Sequence, residues 1–304
     1  MALLVVGTVA MDTIETAHGT AERVLGGSAT FFATAASNFT RPRLVAVVGE
    51  DFPAEYRRFL ESRNIDTAGL YTQPGGKTFF WHGRYHPDMN GRDTIEVQLN
   101  VLETFDPVLP ASYRDSTHVF LANINPSVQL KVLEQIERPQ FVMADTMDFW
   151  IATQHDALLK LMTRLDGISL NDSEAAMLTG TRNMVVAGEK IRKMGPRFVI
   201  IKRGEYGAML STHDGVFTIP AYPTEKVIDP TGAGDTFAGG LMGHLASEPE
   251  HSIGRLRRSM AYGTVTASLT VEGFGVERIK DVTIRDIEDR LYRYRSMLDF
   301  WSHP

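Results

Sequence analysis

Residues 227–246, VIDPTGAGDTFAGGLMGHLA, constrain the fold of this chain more than any other stretch. Ala233, Phe237, Ala238, Leu241, Met242 and Leu245 recur at spacings of three and four, which predicts a helix with one face in a core. Val227 and Ile228 ahead of it predict the end of a buried strand, so a tight turn must join the two. The first turn of a helix leaves backbone N–H groups unpaired and carries partial positive charge. Small residues at Gly232, Ala233 and Gly234 let an anion come close to those donors. Asp235 adds a carboxylate to the same turn. Phosphoryl transfer to an alcohol needs this pair, donors for the charge on the phosphoryl group and a base for the hydroxyl proton. A capped helix whose glycines only permit close packing would use the same residues, so the short motif does not decide by itself.

The rest of the chain alternates strand and helix. Residues 3–9 predict a strand ending before Asp12, and residues 29–39 a helix entered through Gly26-Gly27-Ser28. Residues 44–48 predict a second buried strand and 52–62 its helix. The rhythm resumes with strands at 119–121, 141–144, 167–170 and 198–202. Helices are expected at 126–136, 156–164, 173–178 and 185–194. A short meander at 208–210 and 216–219 follows, and the end is helical, including 256–271 and 284–298. This predicts an α/β domain, a mostly parallel sheet covered on both faces. Ligands on such sheets sit at the carboxyl ends of strands, where Asp12, Asn171, Lys202 and the GAGD turn are expected.

One interval breaks the pattern. In residues 93–101, Ile95, Val97, Leu99 and Val101 alternate with polar residues, Phe79, Trp81 and Tyr85 precede them on one side, and Asn90-Gly91 signals a hairpin. Residues 70–104 therefore read as an antiparallel flap with one apolar face, either a hairpin that decorates the sheet edge or a lid that excludes water over a substrate and pairs with a second subunit.

Length and charge limit the alternatives. The 304 residues suit a single domain, 1–304, with the flap inserted in it. A net charge of −6 argues against a nucleic-acid partner, and no run is apolar enough for a membrane span. The chain has no cysteine, and its apolar start lacks a basic leader, which predicts a cytoplasmic protein.

DPTGAGDTFAGGLM resembles, without a gap, the C-terminal signature of the ribokinase-like (PfkB) family of small-molecule kinases, and the resemblance extends from Gly7 to about Gly275. It implies a three-layer αβα sandwich with a small antiparallel β lid, ATP and Mg²⁺. Asp235 would be the catalytic base, and the amides of Gly232, Ala233 and Gly234 the anion hole. Asp12 would bind acceptor hydroxyls, a task suited to a two-oxygen carboxylate. Gly26 and Gly27 would admit the acceptor close to backbone. Sugar kinases of the family carry an Asn shortly after these glycines; this chain has Thr30 near that place. Asn171 and Glu174 match an NxxE motif whose Glu orders water on Mg²⁺, and the same spacing is a helix capping box. Lys202, Gly204 and Gly207 match a strand end over the ATP phosphates. Asp229, with Thr231, marks where relatives hold a monovalent cation, so K⁺ is expected. Residues 261–275 match the adenine pocket, although apolar packing explains them equally well.

Two other candidates fail on the residues. Gly75-Gly76-Lys77-Thr78 lacks the upstream glycine of a phosphate loop, since Tyr71 stands there, and His82 with His86 has no third metal ligand nearby. Trp81, His82 and Arg84 remain as lid contacts. The expected function is ATP-dependent phosphorylation of a hydroxyl on a small sugar or polyol, with a homodimer formed through the lid. A nucleoside acceptor is the alternative, favoured by the aromatic flap residues, which can stack on a base. A silent binding regulator or a pure interaction domain would have no need of Asp235 and Glu174.

Overall fold

The computed structural model describes residues 1–248 and 252–299. The chain opens with β1 (Leu3–Val6), β2 (Ala10–Thr16), β3 (Gly19–Gly26) and α1 (Ser28–Ala36). Then come β4 (Arg43–Gly49), α2 (Ala54–Ser62), β5 (Asp66–Gln73), β6 (Phe80–Tyr85) and β7 (Arg92–Gln98). The alternation continues through β8 (His118–Leu121), α3 (Pro126–Glu134), β9 (Phe141–Asp145), α4 (Asp148–Thr153) and α5 (His155–Met162). It runs on through β10 (Gly167–Asn171), α6 (Asp172–Thr179), α7 (Met184–Arg192) and β11 (Phe198–Lys202). β12 (Ala208–Thr212) and β13 (Gly215–Ile219) precede α8 (Ala233–Ala246), α9 (Ile253–Thr270) and α10 (Ile284–Leu298).

A nine-stranded sheet in the order β13-β12-β11-β10-β9-β8-β1-β4-β5 carries the fold, parallel except for β12 and β13. Its strands are apolar on both faces because both faces are covered. Leu3 and Val5 point into one core with α1, α2, α8, α9 and α10, whereas Leu4 and Val6 point into a second core with α3 to α7. This is the expected three-layer sandwich.

The chain runs from β1 to one wing of the sheet and returns to β8 on the other side. The crevice at that reversal lies above β1, where the chain leaves for the lid. Gly7 is packed so closely there that a Cβ would lie 2.8 Å from Ala122 Cβ. The amide of Thr8 donates to Ser28 Oγ (3.2 Å) and the amide of Ser28 to Thr8 Oγ1 (2.9 Å), tying the strand end to the start of α1.

The glycines of α8 divide between the two roles that the sequence left open. A Cβ on Gly239 would lie 2.3 Å from Phe32 O, and one on Gly243 would lie 2.9 Å from Ala36 Cα, so these two let α8 press against α1. The glycines at its N-terminus belong to the site.

The structure corrects three expectations. The first strand stops at Val6, and Asp12 lies on β2, in a separate four-stranded sheet ordered β3-β2-β6-β7. That sheet is the lid. It joins two antiparallel hairpins by a parallel β2–β6 pair, while residues 70–73 belong to β5 of the main sheet. Val227 and Ile228 form no strand. They sit in an extended loop held by hydrogen bonds from Ile228 N (2.7 Å) and Asp229 N (3.3 Å) to Val271 O at the end of α9.

Candidate active site

Gly232 caps α8 in the left-handed conformation (φ 73°), and a Cβ there would lie 2.3 Å from the Phe31 ring. Only glycine fits both the backbone angle and the space. Among the described residues, the amides of Gly232 and Gly234 donate to no backbone or side-chain acceptor. The amide of Ala233 is taken by Pro230 O at 3.2 Å. The anion hole is thus narrower than the sequence implied, since Ala233 lends it only its small side chain. Lys202, at the end of β11, supplies the missing charge. Its Nζ lies 3.1 Å from where a Gly234 Cβ would be, so its ammonium stands at the mouth of the helix.

Asp235, half-buried in the first turn of α8, faces this ammonium. Burial pushes its carboxyl up to about 7, with the nearby Asp145 carboxylate adding to the shift and Lys202 and Arg92 opposing it. Lys202 itself pairs with Asp145 at 2.7 Å. Burial works against charge on Lys202, but Asp145 and Glu174 outweigh it and raise its pKa. Asp145 closes β9 at the same carboxyl edge as Asn171 and Lys202, which are register partners on β10 and β11. Sequence reasoning ended that strand one residue early and missed it; an acidic residue closing an apolar run was the available signal.

Asn171 and Glu174 form the capping box. Asn171 Oδ1 accepts from Glu174 N (2.8 Å), and Glu174 Oε2 accepts from Asn171 N (2.7 Å). Burial raises the Glu174 pKa against the pull of Lys202. Three carboxylates, Asp145, Glu174 and Asp235, thus surround one ammonium. That surplus of negative charge suits a hydrated divalent cation arriving with phosphates. No cluster of three or more acidic or imidazole ligands is arranged to grip an ion directly among the described residues, and Mg²⁺ keeps most of its waters in such sites.

Gly204 and Gly207 both adopt positive φ (52° and 87°) around the turn after β11. A Cβ on Gly207 would lie 2.1 Å from Ile219 O, which makes it a packing residue of the β12–β13 meander. Above Gly204 hangs the tip of the lid hairpin, with Asn90 Oδ1 3.4 Å from where its Cβ would be.

The lid presents one face to this edge. Asp12 pairs with Trp81, Trp81 with Val97, and Tyr85 with Arg92, and directly paired residues point to one side of a sheet. Asp12 is buried beside Gly26, where a Cβ would fall 1.8 Å from its carboxylate, and it accepts a hydrogen bond from the Gly27 amide. Burial, then the Asp229 carboxylate, raises its pKa to about 8, and Asp235 adds to this. The Tyr85 hydroxyl accepts from Thr231 Oγ1 at 3.2 Å, joining the lid to the anion turn. Arg92 lies over Trp81 (5.9 Å) and is close enough to act on Asp235. Tyr85 and Arg92 are therefore the lid residues that meet the turn. His82 and Arg84 point the other way, both bound to Glu15 (2.8 and 2.6 Å).

Two more expected residues have other surroundings. Thr30 is fully buried with its hydroxyl unpartnered, and its neighbour Phe31 lies under Gly232. Asp229 is fully buried, and its two oxygens accept from Thr231 N and Gly275 N, both at 2.8 Å. It clamps the loop that carries the turn. Residues 261–270 lie in α9, which packs along α8, so the apolar reading holds for that part of the stretch.

The pfkB family carbohydrate kinase profile matches residues 2–281. A cytidine kinase of Thermococcus kodakarensis is 32% identical over 266 residues, covering 84% of this chain and 92% of the relative. The crystal structure of Methanocaldococcus jannaschii nucleoside kinase superposes with a TM-score of 0.78 at 21% identity, over 96% of this chain and 99% of that one. Burkholderia thailandensis nucleoside kinase, in complex with ADP-inosine, gives 0.78 at 18% identity over 100% and 97%. The chain belongs to the pfkB family of carbohydrate kinases and is an ATP-dependent phosphotransferase acting on a hydroxyl of a small sugar- or nucleoside-type acceptor.

Proposed function

We propose that the acceptor is a nucleoside. The observation that carries this reading is the pairing of Asp12 with Trp81 on the cleft face of the lid. The carboxylate can take two ribose hydroxyls while the indole stacks on the base, and a free sugar would use only the first. Kinship with a cytidine kinase supports it. Asp235 then accepts the proton of the attacking hydroxyl as its oxygen bonds to the γ-phosphorus and ADP departs. The Gly232 and Gly234 amides and Lys202 take the charge of the transferring group, and Arg92 closes over it from the lid. Mg²⁺ would be held through water by Glu174 and Asp145 and would neutralise the phosphate oxygens. A cytoplasmic site of action, where ATP is supplied, fits this chemistry.

The test is ADP release with Mg-ATP against ribonucleosides, pentoses, hexoses and inositols. Nucleosides should give the highest kcat/KM, and Trp81→Ala should lower it about 10-fold or more for them, since base stacking contributes about 1–3 kcal/mol. Faster turnover of a free sugar, indifferent to Trp81, would reject the reading. The same assay in K⁺ against tetramethylammonium reads the cation expected at Asp229, whose oxygens each retain a lone pair. Equal rates in both salts would remove K⁺ from the account. Arg92→Ala should lower kcat about 10²-fold with little change in acceptor KM, as loss of one transition-state donor does. An unchanged kcat would show that the guanidinium stays outside the reaction.

We further propose that β7 pairs two copies. It is one of the two edge strands of the lid, and its Ile95, Val97 and Leu99 are 46%, 52% and 44% exposed. Light scattering should give a dimer that Ile95→Lys with Leu99→Lys dissociates; a wild-type monomer would refute it.

A further inference from the structure

One cavity of the described residues lies outside the catalytic cleft. It is a groove of about 880 Å³ between β13, α9 and α10, and no residue of the active site lines it. Its volume falls in the range of small-molecule sites. The Phe217 and Tyr262 rings and Leu291 give it apolar walls, and Arg257, Arg258 and Arg295 stand around it. The Arg257 guanidinium lies 5.2 Å over the Phe217 ring. Among the described residues none of the three arginines forms an ion pair. Asp299 is the one acid in the lining, and two carboxylates outside it, Glu288 on α10 and Glu248, act on the Tyr262 hydroxyl. The lining itself carries three cations against one acid, in a chain whose net charge is −6.

We infer that this groove is a second binding site, for a small anion that carries a planar ring, with nucleoside monophosphate chemistry. Flat aromatic walls accept the ring, and guanidinium groups bind phosphate in paired hydrogen bonds. The groove is joined to the catalytic apparatus by covalent structure. The Tyr294 hydroxyl, under its floor, donates to Pro220 O, and Pro220 begins the loop that ends at Gly232. α9 closes that same loop through Val271.

The experiment is calorimetric titration of the full chain with AMP, set beside adenosine, inorganic phosphate and ribose 5-phosphate. The variant is Arg257→Gln with Arg295→Gln; both residues are exposed and outside the catalytic site, so its basal turnover should equal that of the wild type. The expected result is one more AMP site per chain in the wild type than in the variant, with at least 10-fold weaker binding there of the three fragments. Equal site numbers in the two proteins would overturn the inference. So would phosphate binding as tightly as AMP, which would mark a bare anion site. A third comparison uses a chain ending at Asp299. If only that shorter chain gains the site, residues 300–304 compete for the groove and the proposal falls.

Discussion

Asp235→Asn is expected to lower kcat by about 10²–10⁴ without unfolding the protein, because it removes the proton acceptor and keeps the shape of the turn. Packing supports the second half of that statement. The fold around α8 depends on Gly239, Gly243 and the buried Phe237, Leu241 and Leu245, none of which the substitution touches. The ATP KM should change little, since the Gly232 and Gly234 amides and Lys202 remain in place. Turnover at the wild-type rate by a folded variant would move the base elsewhere.

Asp12→Asn is expected to act in two opposite directions. It should cut acceptor kcat/KM about 10–100-fold, because hydrogen bonds from hydroxyls to a charged group contribute about 1.5–3 kcal/mol. It should also stabilise the free protein at pH 8. Burial raises this carboxyl from 3.8 to about 8, so folding favours its protonated form. The stabilisation is full below the unfolded value near 4 and is lost as pH rises through 8, and Asp235, raised to about 7, behaves likewise. Asparagine never ionises and keeps an oxygen for the Gly27 amide. A gain of a few kcal/mol at pH 8 that vanishes near pH 4 corresponds to about 1.5–2 °C in Tm per kcal/mol for a chain of this size. Thermal scans across that range check it, and a variant less stable than wild type at pH 8 would contradict it. Acceptor binding thus holds in the cleft a charge that the empty fold resists.

The same residues show what the sequence could and could not disclose. The anion turn was legible because its donors and its base lie within four consecutive positions, Gly232 to Asp235, and a helix start fixes their mutual geometry. The sandwich was legible because its strands are buried on both faces and so read as apolar runs. The first half of the lid was not. Residues 19–24 of β3 are mostly exposed and polar, which leaves no alternation to see, and β2 reads as a continuation of β1. Asp145 and Arg92, and the bond that Tyr85 of the flap makes to the anion turn, were missed for a different reason. Each acquires its role from a partner 57 to 146 positions away, through Lys202 and Thr231, or from an electrostatic neighbour, Asp235, on another element. Apart from the acid that closes the apolar run at Asp145, their own neighbourhoods in the chain carry no trace of it. Thr30 stands apart, a position suggested by its place after the glycines and whose side chain the fold buries in α1.

The measurement that bears most directly on the whole account is the pH dependence of acceptor kcat/KM between pH 5 and 9, in wild type and in Asp235→Asn. A base whose pKa is raised to about 7 must lose its proton before it can accept another, so the wild-type rate should climb through that region and level only above about 8, once Asp12 has ionised as well. The variant should be slow at every pH and lack the Asp235 limb. A wild-type profile flat across the range, or the same limb at the same height in the variant, would show that Asp235 is not the base.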